Sequence, residues 1–184
     1  MWIFISIIGL ILVYLVWTYN SFASLRNRAR NAWADIDVEL KRRHDLVPNL
    51  VATVQGYAAH EKGVFEDVAR LRSQAMQVQG AQAKEGTEAE LTGAIKSLFA
   101  VAESYPDLKA DKNFRDLQTQ LAEVEDHIQY ARRYYNAVVR DMNTKCELFP
   151  SGLIGSWFGF GRLSYFQAAD EDREAVGVKF EEGK

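Results

Sequence analysis

The sequence contains very little cysteine or histidine. Cys146 is the only cysteine among 184 residues, so the chain can form no intrachain disulfide and no cysteine-based zinc site. Three histidines leave few metal ligands or catalytic bases. The sequence also lacks the HExxH zinc motif, the GxxxxGK phosphate loop and the Gly-x-Ser-x-Gly nucleophile elbow. We therefore expect no enzymatic activity, no catalytic residues, no bound metal and no cofactor.

Positive charge is not in excess. The chain has 22 Lys plus Arg against 25 Asp plus Glu, which gives a net charge of −3. Binding to the phosphate backbone of a nucleic acid depends on a surplus of basic side chains, so we expect no nucleic-acid partner. The hydrophobic fraction of 48% and the charged fraction of 26% are typical of a globular protein of one domain.

Charge is absent from the beginning of the chain, where the first charged side chain is Arg26. The 18 residues from Trp2 to Tyr19 would cover roughly 27 Å as a helix, close to the hydrocarbon thickness of a bilayer. We predict a transmembrane helix in residues 1–20, with Trp2, Trp17 and Tyr19 at the membrane interfaces. A cleavable signal peptide would need a basic segment and a small-residue cleavage site, which are missing. A buried core helix is the other alternative.

The basic residues near the predicted span all follow it. By the positive-inside rule, the N-terminus lies outside and the rest of the chain lies in the cytoplasm, as in a single-pass protein of the inner membrane. A lone Cys146 suits a reducing compartment. The lipid bilayer is therefore an expected partner. The basic residues are Arg26, Arg28, Arg30, Lys41, Arg42 and Arg43.

Proline is scarce, and Pro48 and Pro106 are the only prolines before Pro150. Apolar residues recur at steps of three and four, which predicts an all-α fold. The steps are unbroken in one long helix, expected at residues 112–147 with Asp111 as its N-cap. Its apolar residues are Phe114, Leu117, Leu121, Val124, Ile128, Ala131, Tyr135, Val138 and Met142.

A second long helix is predicted at residues 25–59, running out of the membrane helix. Pro48 lies inside it and predicts a kink near Asp45, where polar side chains such as His44 satisfy loose backbone groups or form a polar pocket. Shorter helices are predicted around residues 64–78 and 91–102, with a loop from Gln79 to Thr87 between them. We predict that residues 21–149 form an antiparallel up-down four-helix bundle with two long and two short helices.

The composition changes after Pro150. Six of the twelve glycines lie in residues 150–184, interleaved with aromatic residues, which predicts a separate C-terminal tail. Its rings could pack on the ends of the long helices, contact another subunit or lie at the lipid interface. The candidate interaction residues in the tail are Trp157, Phe158, Phe160, Tyr165 and Phe166.

A further candidate interaction cluster consists of Arg132, Arg133 and Tyr134. Arginine and tyrosine dominate the hot spots of protein interfaces, so this cluster is a candidate partner surface. The alternative is that the two arginines pair within the chain. Their candidate acceptors on the antiparallel first helix are Asp35, Asp37 and Glu39.

Two segments and a later Phe-Pro pair resemble the signature of the LemA family. The segments are LRNRARNAWADIDVELKRRHDLVPNLVATVQGYAAHEK at 25–62 and YPDLKADKNFRDLQTQLAEVEDHIQYARRYYNAVVRDMNT at 105–144. The resemblance implies a single-pass bacterial membrane protein with an antiparallel four-helix bundle. The family has no established activity, cofactor or catalytic residue. Its genes often neighbour those for TPM-domain membrane proteins and a membrane metalloprotease, which makes these candidate partners.

The chain departs from the family pattern at two positions, with Ala137 where many relatives have Asp and His127 where Asn is frequent. Two functions remain open. The first is a non-enzymatic, membrane-anchored helical scaffold that forms a homo-oligomer or docks another membrane protein. The alternative is a signalling or sensing module that transmits a change through the first helix.

Overall fold

The structure is a computed structural model that describes residues 1–78 and 81–166. Within these residues every regular element is a helix, which confirms the all-α class. Residues 167–184, the end of the predicted tail, lie outside the described residues. The helices are α1 (Trp2–Gln55), α2 (Lys62–Gln77), α3 (Ala81–Glu103), α4 (Pro106–Ala110), α5 (Lys112–Glu147) and α6 (Ser151–Trp157).

The longest described helix is α1, with 54 residues and a length of about 81 Å. Its first five turns carry apolar side chains that are almost all exposed. Of the described helices, α1 alone is long and apolar enough to span a bilayer. Side chains of this kind are stable in lipid rather than in water, so α1 is a candidate membrane helix.

Helices α1 and α5 lie antiparallel. The Tyr57 hydroxyl donates to Asp111 Oδ2 over 3.2 Å near the start of α5, while Lys145 Nζ donates to Ser21 Oγ near its end. Apolar residues at helical spacing on both helices are buried between them. These include Ala32, Ile36, Leu40, Val124, Ile128 and Val139.

Helices α2 and α3 pack on the end of this pair that is far from the N-terminus. They run antiparallel to each other, since Val64 near the start of α2 lies beside Val101 near the end of α3. Their buried residues share one core cluster with the ends of α1 and α5. Its members include Val47, Leu50, Phe65, Val68, Leu91, Leu98, Leu108 and Phe114.

The expected loop from Gln79 to Thr87 is wrong for most of its length, because α3 begins at Ala81. Alanine, glutamine, lysine and glutamate favour helix, and Gly86 costs only about 1 kcal/mol inside one. Lys84 Nζ also lies 2.5 Å from Asp37 Oδ1 of α1. This contact between helices is a tertiary one that local composition does not indicate.

Other boundaries differ by a few residues. Helix α1 ends at Gln55 rather than at residue 59. Just beyond this end, the amide of Ala58 donates a hydrogen bond to the carbonyl of Val54 over 2.9 Å. Two short helices, α4 and α6, were not predicted. The N-cap of α5 is confirmed, since the Asp111 carboxylate accepts from the Phe114 amide over 2.9 Å.

Two asparagines of α5 hold the segment that follows α6. The Asn143 side chain donates to the carbonyl of Leu163 and accepts from its amide. The Asn136 side chain makes the same pair of hydrogen bonds with Phe166, and all four measure 2.6–3.0 Å. Asn136 and Asn143 are seven residues apart, which is about 10.5 Å along a helix. Leu163 and Phe166 are three residues apart, which is about 10 Å in extended backbone, so the two spacings match. The segment therefore runs antiparallel to α5 in a fixed register.

Candidate functional site

A cluster of charged side chains is buried where α1, α3 and α5 meet. Arg43 and Glu88 are 4% and 5% exposed, and the Arg43 guanidinium forms an ion pair with the Glu88 carboxylate. Arg43 Nη1 also donates to Thr92 Oγ1 over 2.9 Å and to Glu125 Oε2 over 3.0 Å. His44 Nε2 lies 2.9 Å from the other Glu88 oxygen. Glu88 therefore has a separate partner for each carboxylate oxygen.

The sequence carries a signal for this cluster in addition to the apolar periodicity. Arg43 lies between Leu40 and Val47 on the apolar side of α1, at steps of three and four. Glu88 lies three residues before Leu91, on the apolar side of α3. Two opposite charges on apolar faces indicate a buried pair. Glu88 was missed because it lies between the loop expected from Gln79 to Thr87 and the helix predicted from about residue 91.

Burial and charge act in opposite directions on the Glu88 carboxyl group. Burial, the largest influence, raises its pKa, while the hydrogen bond from His44 and the charge of Arg43 lower it. The lowering influences together prevail, so the pKa of Glu88 lies below its usual value. Glu88 is therefore an anion at neutral pH, which balances the charge of Arg43 inside the protein.

Pro48 explains a further contact at this cluster. Proline has no amide hydrogen, so the His44 carbonyl, four residues earlier, loses its normal helical partner. Arg72 Nε of α2 donates to this carbonyl over 2.7 Å. The expected kink residue Asp45 instead pairs on the surface with Lys41, and its pKa is lowered by that hydrogen bond. The loose backbone group is thus satisfied from α2 rather than locally.

A cleft of about 370 Å³ opens above the buried cluster. Its walls mix both charge signs, and the Arg132 guanidinium lies 4.5 Å from the Phe166 ring centre at one side. No group of three His, Cys, Asp or Glu residues suited to a metal occurs in residues 1–78 and 81–166. The polar side chains of the walls include Arg43, Glu88, Thr92, Lys96, Glu125 and Gln129.

A second groove, of about 310 Å³, lies on the other side of the contact between α1 and α5. We name it the outer groove and define it by Val38, Tyr130 and Tyr134, which are 64%, 69% and 49% exposed. His127 Nδ1 lies 3.5 Å from Glu39 Oε1 at its edge. The outer groove is thus an exposed apolar strip with polar borders.

The structure separates the predicted cluster of Arg132, Arg133 and Tyr134. Arg132 faces the cleft, Tyr134 lines the outer groove and Arg133 is exposed. Asp37, a proposed acceptor for the arginines, pairs with Lys84 instead. Neighbours in the sequence point to different sides because successive helical residues are rotated by about 100°.

The aromatic residues of the tail also divide into two sets. Phe160 and Phe166 are buried against α1 and α5, whereas Trp157, Phe158 and Tyr165 are exposed. Of the predicted membrane-interface residues, Trp2 and Trp17 are largely exposed, and Tyr19 contacts the rings of Phe158 and Phe160.

These features define the class: an all-helical protein with one candidate membrane helix at its N-terminus, in the part of the chain that the structure describes. The chain belongs to the LemA family, whose model matches residues 32–180. The resemblance noted in the sequence is thereby confirmed.

The chain is also similar to individual relatives. It is 24% identical over 189 residues to the magnetosome protein MamQ 1 of Paramagnetospirillum magneticum, covering 89% of this chain and 69% of the relative. It is 24% identical over 190 residues to the magnetosome protein MamQ of Magnetospirillum gryphiswaldense, covering 88% and 70%. Protein LemA of Metamycoplasma hominis is 25% identical over 177 residues, covering 94% and 80%.

Proposed function

We propose that this chain is a non-enzymatic scaffold, anchored in the inner membrane by α1, whose four-helix bundle self-associates or docks another membrane protein. The observation that carries this proposal is the exposure of the outer groove. Tyr130 is 69% exposed although its ring is large and mostly apolar. Exposed apolar strips with polar borders are characteristic of protein interaction sites, and tyrosine is enriched in them.

The borders of the outer groove favour a second copy of the chain as its occupant. Asp35 and Glu39 lie on the α1 side, while Arg133 is exposed beside Tyr134 on α5. A twofold contact brings the same surface of both copies together. A surface with both charge signs can form such a contact without uniform repulsion.

The test is the mass of the full-length protein, extracted with its membrane helix and measured by light scattering corrected for detergent. The wild type should have at least twice the 20.9 kDa mass of one chain. Tyr130→Lys combined with Tyr134→Lys should reduce the mass to one chain, because charge would enter the interface. Met76→Lys is the matched control, since Met76 is an exposed apolar residue of α2. A monomeric wild type would refute self-association, and an assembled double variant would exclude the outer groove.

A monomer would leave docking of another membrane protein as the scaffold function. The candidate partners are a TPM-domain membrane protein and a membrane metalloprotease. The decisive measurement is binding between the purified full-length proteins in nanodiscs, with and without the double tyrosine substitution. Binding that is lost with the tyrosines and kept in Met76→Lys would support docking through the outer groove.

The proposed cytoplasmic orientation needs a better reporter than the natural cysteine. Burial raises the pKa of the Cys146 thiol, which lowers the fraction of the reactive thiolate. An exposed cysteine introduced as Met76→Cys in a Cys146→Ser background should resist an impermeant thiol reagent in intact cells and react after lysis. Labelling in intact cells would place the domain outside.

A sensing module is the second candidate, and the buried cluster beside Pro48 favours it. Glu88 of α3 pairs with Arg43 and lies 2.9 Å from His44 Nε2, so the cluster joins α3 to α1. A sensor would keep its mass but change the protection factors of α3 amides, which correct exchange rates for their intrinsic pH dependence, between pH 4 and pH 7.5. Unchanged protection factors across this range would remove the support that the cluster gives to sensing.

A further inference from the structure

Residues 148–158 form a short apolar projection, which we name the foot. No charged side chain occurs from Leu148 to Gly161. Within α6, Ile154 faces the protein, whereas Leu153 and Trp157 on the other side are 64% and 84% exposed. Large apolar side chains exposed together on an uncharged segment are characteristic of a contact with protein or lipid.

Close packing places the foot at the end of the predicted membrane span. The Phe158 ring centre lies 5.1 Å from that of Tyr19, which is next to the last residue of the predicted transmembrane helix. A Cβ atom at Gly155 would lie 2.8 Å from the Phe22 ring, so only glycine permits this approach of α6 to α1. The height of the foot along α1 is therefore set by direct contact.

The first part of the foot reaches further along the span. Leu148 and Phe149 line a groove of about 480 Å³ together with Tyr14 and Trp17 of α1. Tyr14 precedes Tyr19 by five residues, or about 7.5 Å of helix. Phe149 is 83% exposed and lies beside the last turns of the predicted span. Water is not the expected neighbour of such a side chain at this depth.

Basic side chains near the foot also fit a membrane interface, although Asp141 lines the same groove. Lys145 Nζ lies 5.1 Å from the Trp17 ring centre, so its stem follows apolar surface towards the foot. The first charges after the span, Arg26, Arg28 and Arg30, lie just beyond Phe22 on α1. Basic residues at this position meet anionic lipid headgroups.

We propose that the foot is a second membrane contact, in which Phe149, Leu153 and Trp157 enter the headgroup region of the leaflet that α1 leaves. Lipid is the occupant because α1 holds these side chains at the depth of its own aromatic end. A single helix leaves the protein free to rotate about it. Two contacts fix the rotation and tilt of the domain, and this holds whether or not the scaffold self-associates.

The experiment measures depth by spin labelling of the full-length protein in nanodiscs of phosphatidylcholine and phosphatidylglycerol, one copy per disc. Labels are introduced as Trp157→Cys and, separately, Leu153→Cys in a Cys146→Ser background. Met76→Cys on α2 is the control, because it is exposed and α2 packs on the end of α1 that is far from the predicted span. Power saturation compares collisions of each label with dissolved oxygen and with a water-soluble nickel chelate.

The ratio of oxygen to nickel collisions at residues 153 and 157 should exceed that at residue 76 several-fold. Equal ratios at all three positions would overturn the proposal, since the foot would then lie in water. Loading two copies per disc provides the other decisive outcome. Spin–spin broadening at residue 157 that replaces the lipid signal would show that another copy covers the foot. The protein mass plays no part in either readout, so failure of the scaffold proposal remains distinguishable.

Discussion

Removing Glu88 should destabilise the fold strongly, whereas removing Glu88 together with Arg43 should not. Glu88→Leu leaves the Arg43 guanidinium, 4% exposed, without its most buried partner. Breaking a buried ion pair costs about 3–5 kcal/mol. Glu125 still accepts from Arg43 over 3.0 Å and is partly exposed, so we expect the lower end, about 3 kcal/mol.

The reverse variant, Arg43→Met, leaves the Glu88 anion with His44 as its remaining close partner and should cost a similar amount. In the double variant both charges are gone, and the main residual loss is the unsatisfied His44 ring, at about 1–2 kcal/mol. The two single losses should therefore exceed the double loss substantially. With about 3 kcal/mol for each single loss and about 1–2 kcal/mol for the double loss, we expect a coupling free energy of about 4–5 kcal/mol, above the usual range for side chains in contact.

The assay is urea unfolding of the full-length protein in a mild detergent, followed by circular dichroism at the helix band. Lys96→Leu is the matched control, because Lys96 lines the same cleft but is exposed. Its free energy of unfolding should change by less than about 0.5 kcal/mol. Additive losses in the double variant, or a loss below about 1 kcal/mol for Glu88→Leu, would refute the buried pair as the element that joins α3 to α1.

Three further predictions concern acid, the cap of α5 and the tail. The pKa of Glu88 is lowered in the folded state, so its ionised carboxylate stabilises the fold fully above about pH 4.3, the usual glutamate value. This stabilisation is lost as the pH falls further. Glu88→Leu should therefore flatten this part of the curve of unfolding free energy against pH. Asp111→Ala should speed hydrogen exchange in the first turn of α5, and Asp111→Asn should restore protection. Asn136→Ala should expose the Phe166 amide to exchange at least tenfold, and Asn143→Ala should do the same for Leu163.

Each of these has a clear contrary result. An acid limb that is identical in wild type and Glu88→Leu would show that other carboxyl groups control acid unfolding. Equal exchange in Asp111→Ala and wild type would mean that the cap contributes nothing to the first turn. An amide at Phe166 that stays protected in Asn136→Ala would show that ring burial alone holds this segment.

The periodic pattern predicts α5 well because its helix depends on one regular feature. Apolar residues from Phe114 to Met142 repeat without interruption, and a short carboxylate stands at the N-cap. The apolar repeat and the N-cap each depend on residues only a few positions apart, so both can be recognised in the sequence without knowing the fold. The uncharged segment at the N-terminus is readable for the same reason, since length and polarity are local quantities.

The candidate sites depend on contacts between residues far apart in the chain. Arg43 and Glu88 are separated by 45 positions, and Glu88 lies just before the helix predicted at residues 91–102, so its place on α3 was not recognised. The hydrogen bond from Arg72 to the His44 carbonyl depends on how α2 packs against α1. The outer groove arises from side chains of two helices, so neither helix alone predicts it.

The sequence by itself determined the helical class, the family, the long helices and the apolar N-terminal span, because these follow from local spacing and composition. The tertiary structure alone decided which aromatic residues of the tail are covered and which remain exposed. Phe158 and Phe160 share residue type and glycine-rich surroundings, yet Phe158 is half-exposed and Phe160 is buried. Phe160 is covered because it stacks on Phe22 of α1, and Phe166 is covered where Asn136 of α5 holds its backbone, contacts that only the packing of distant segments supplies.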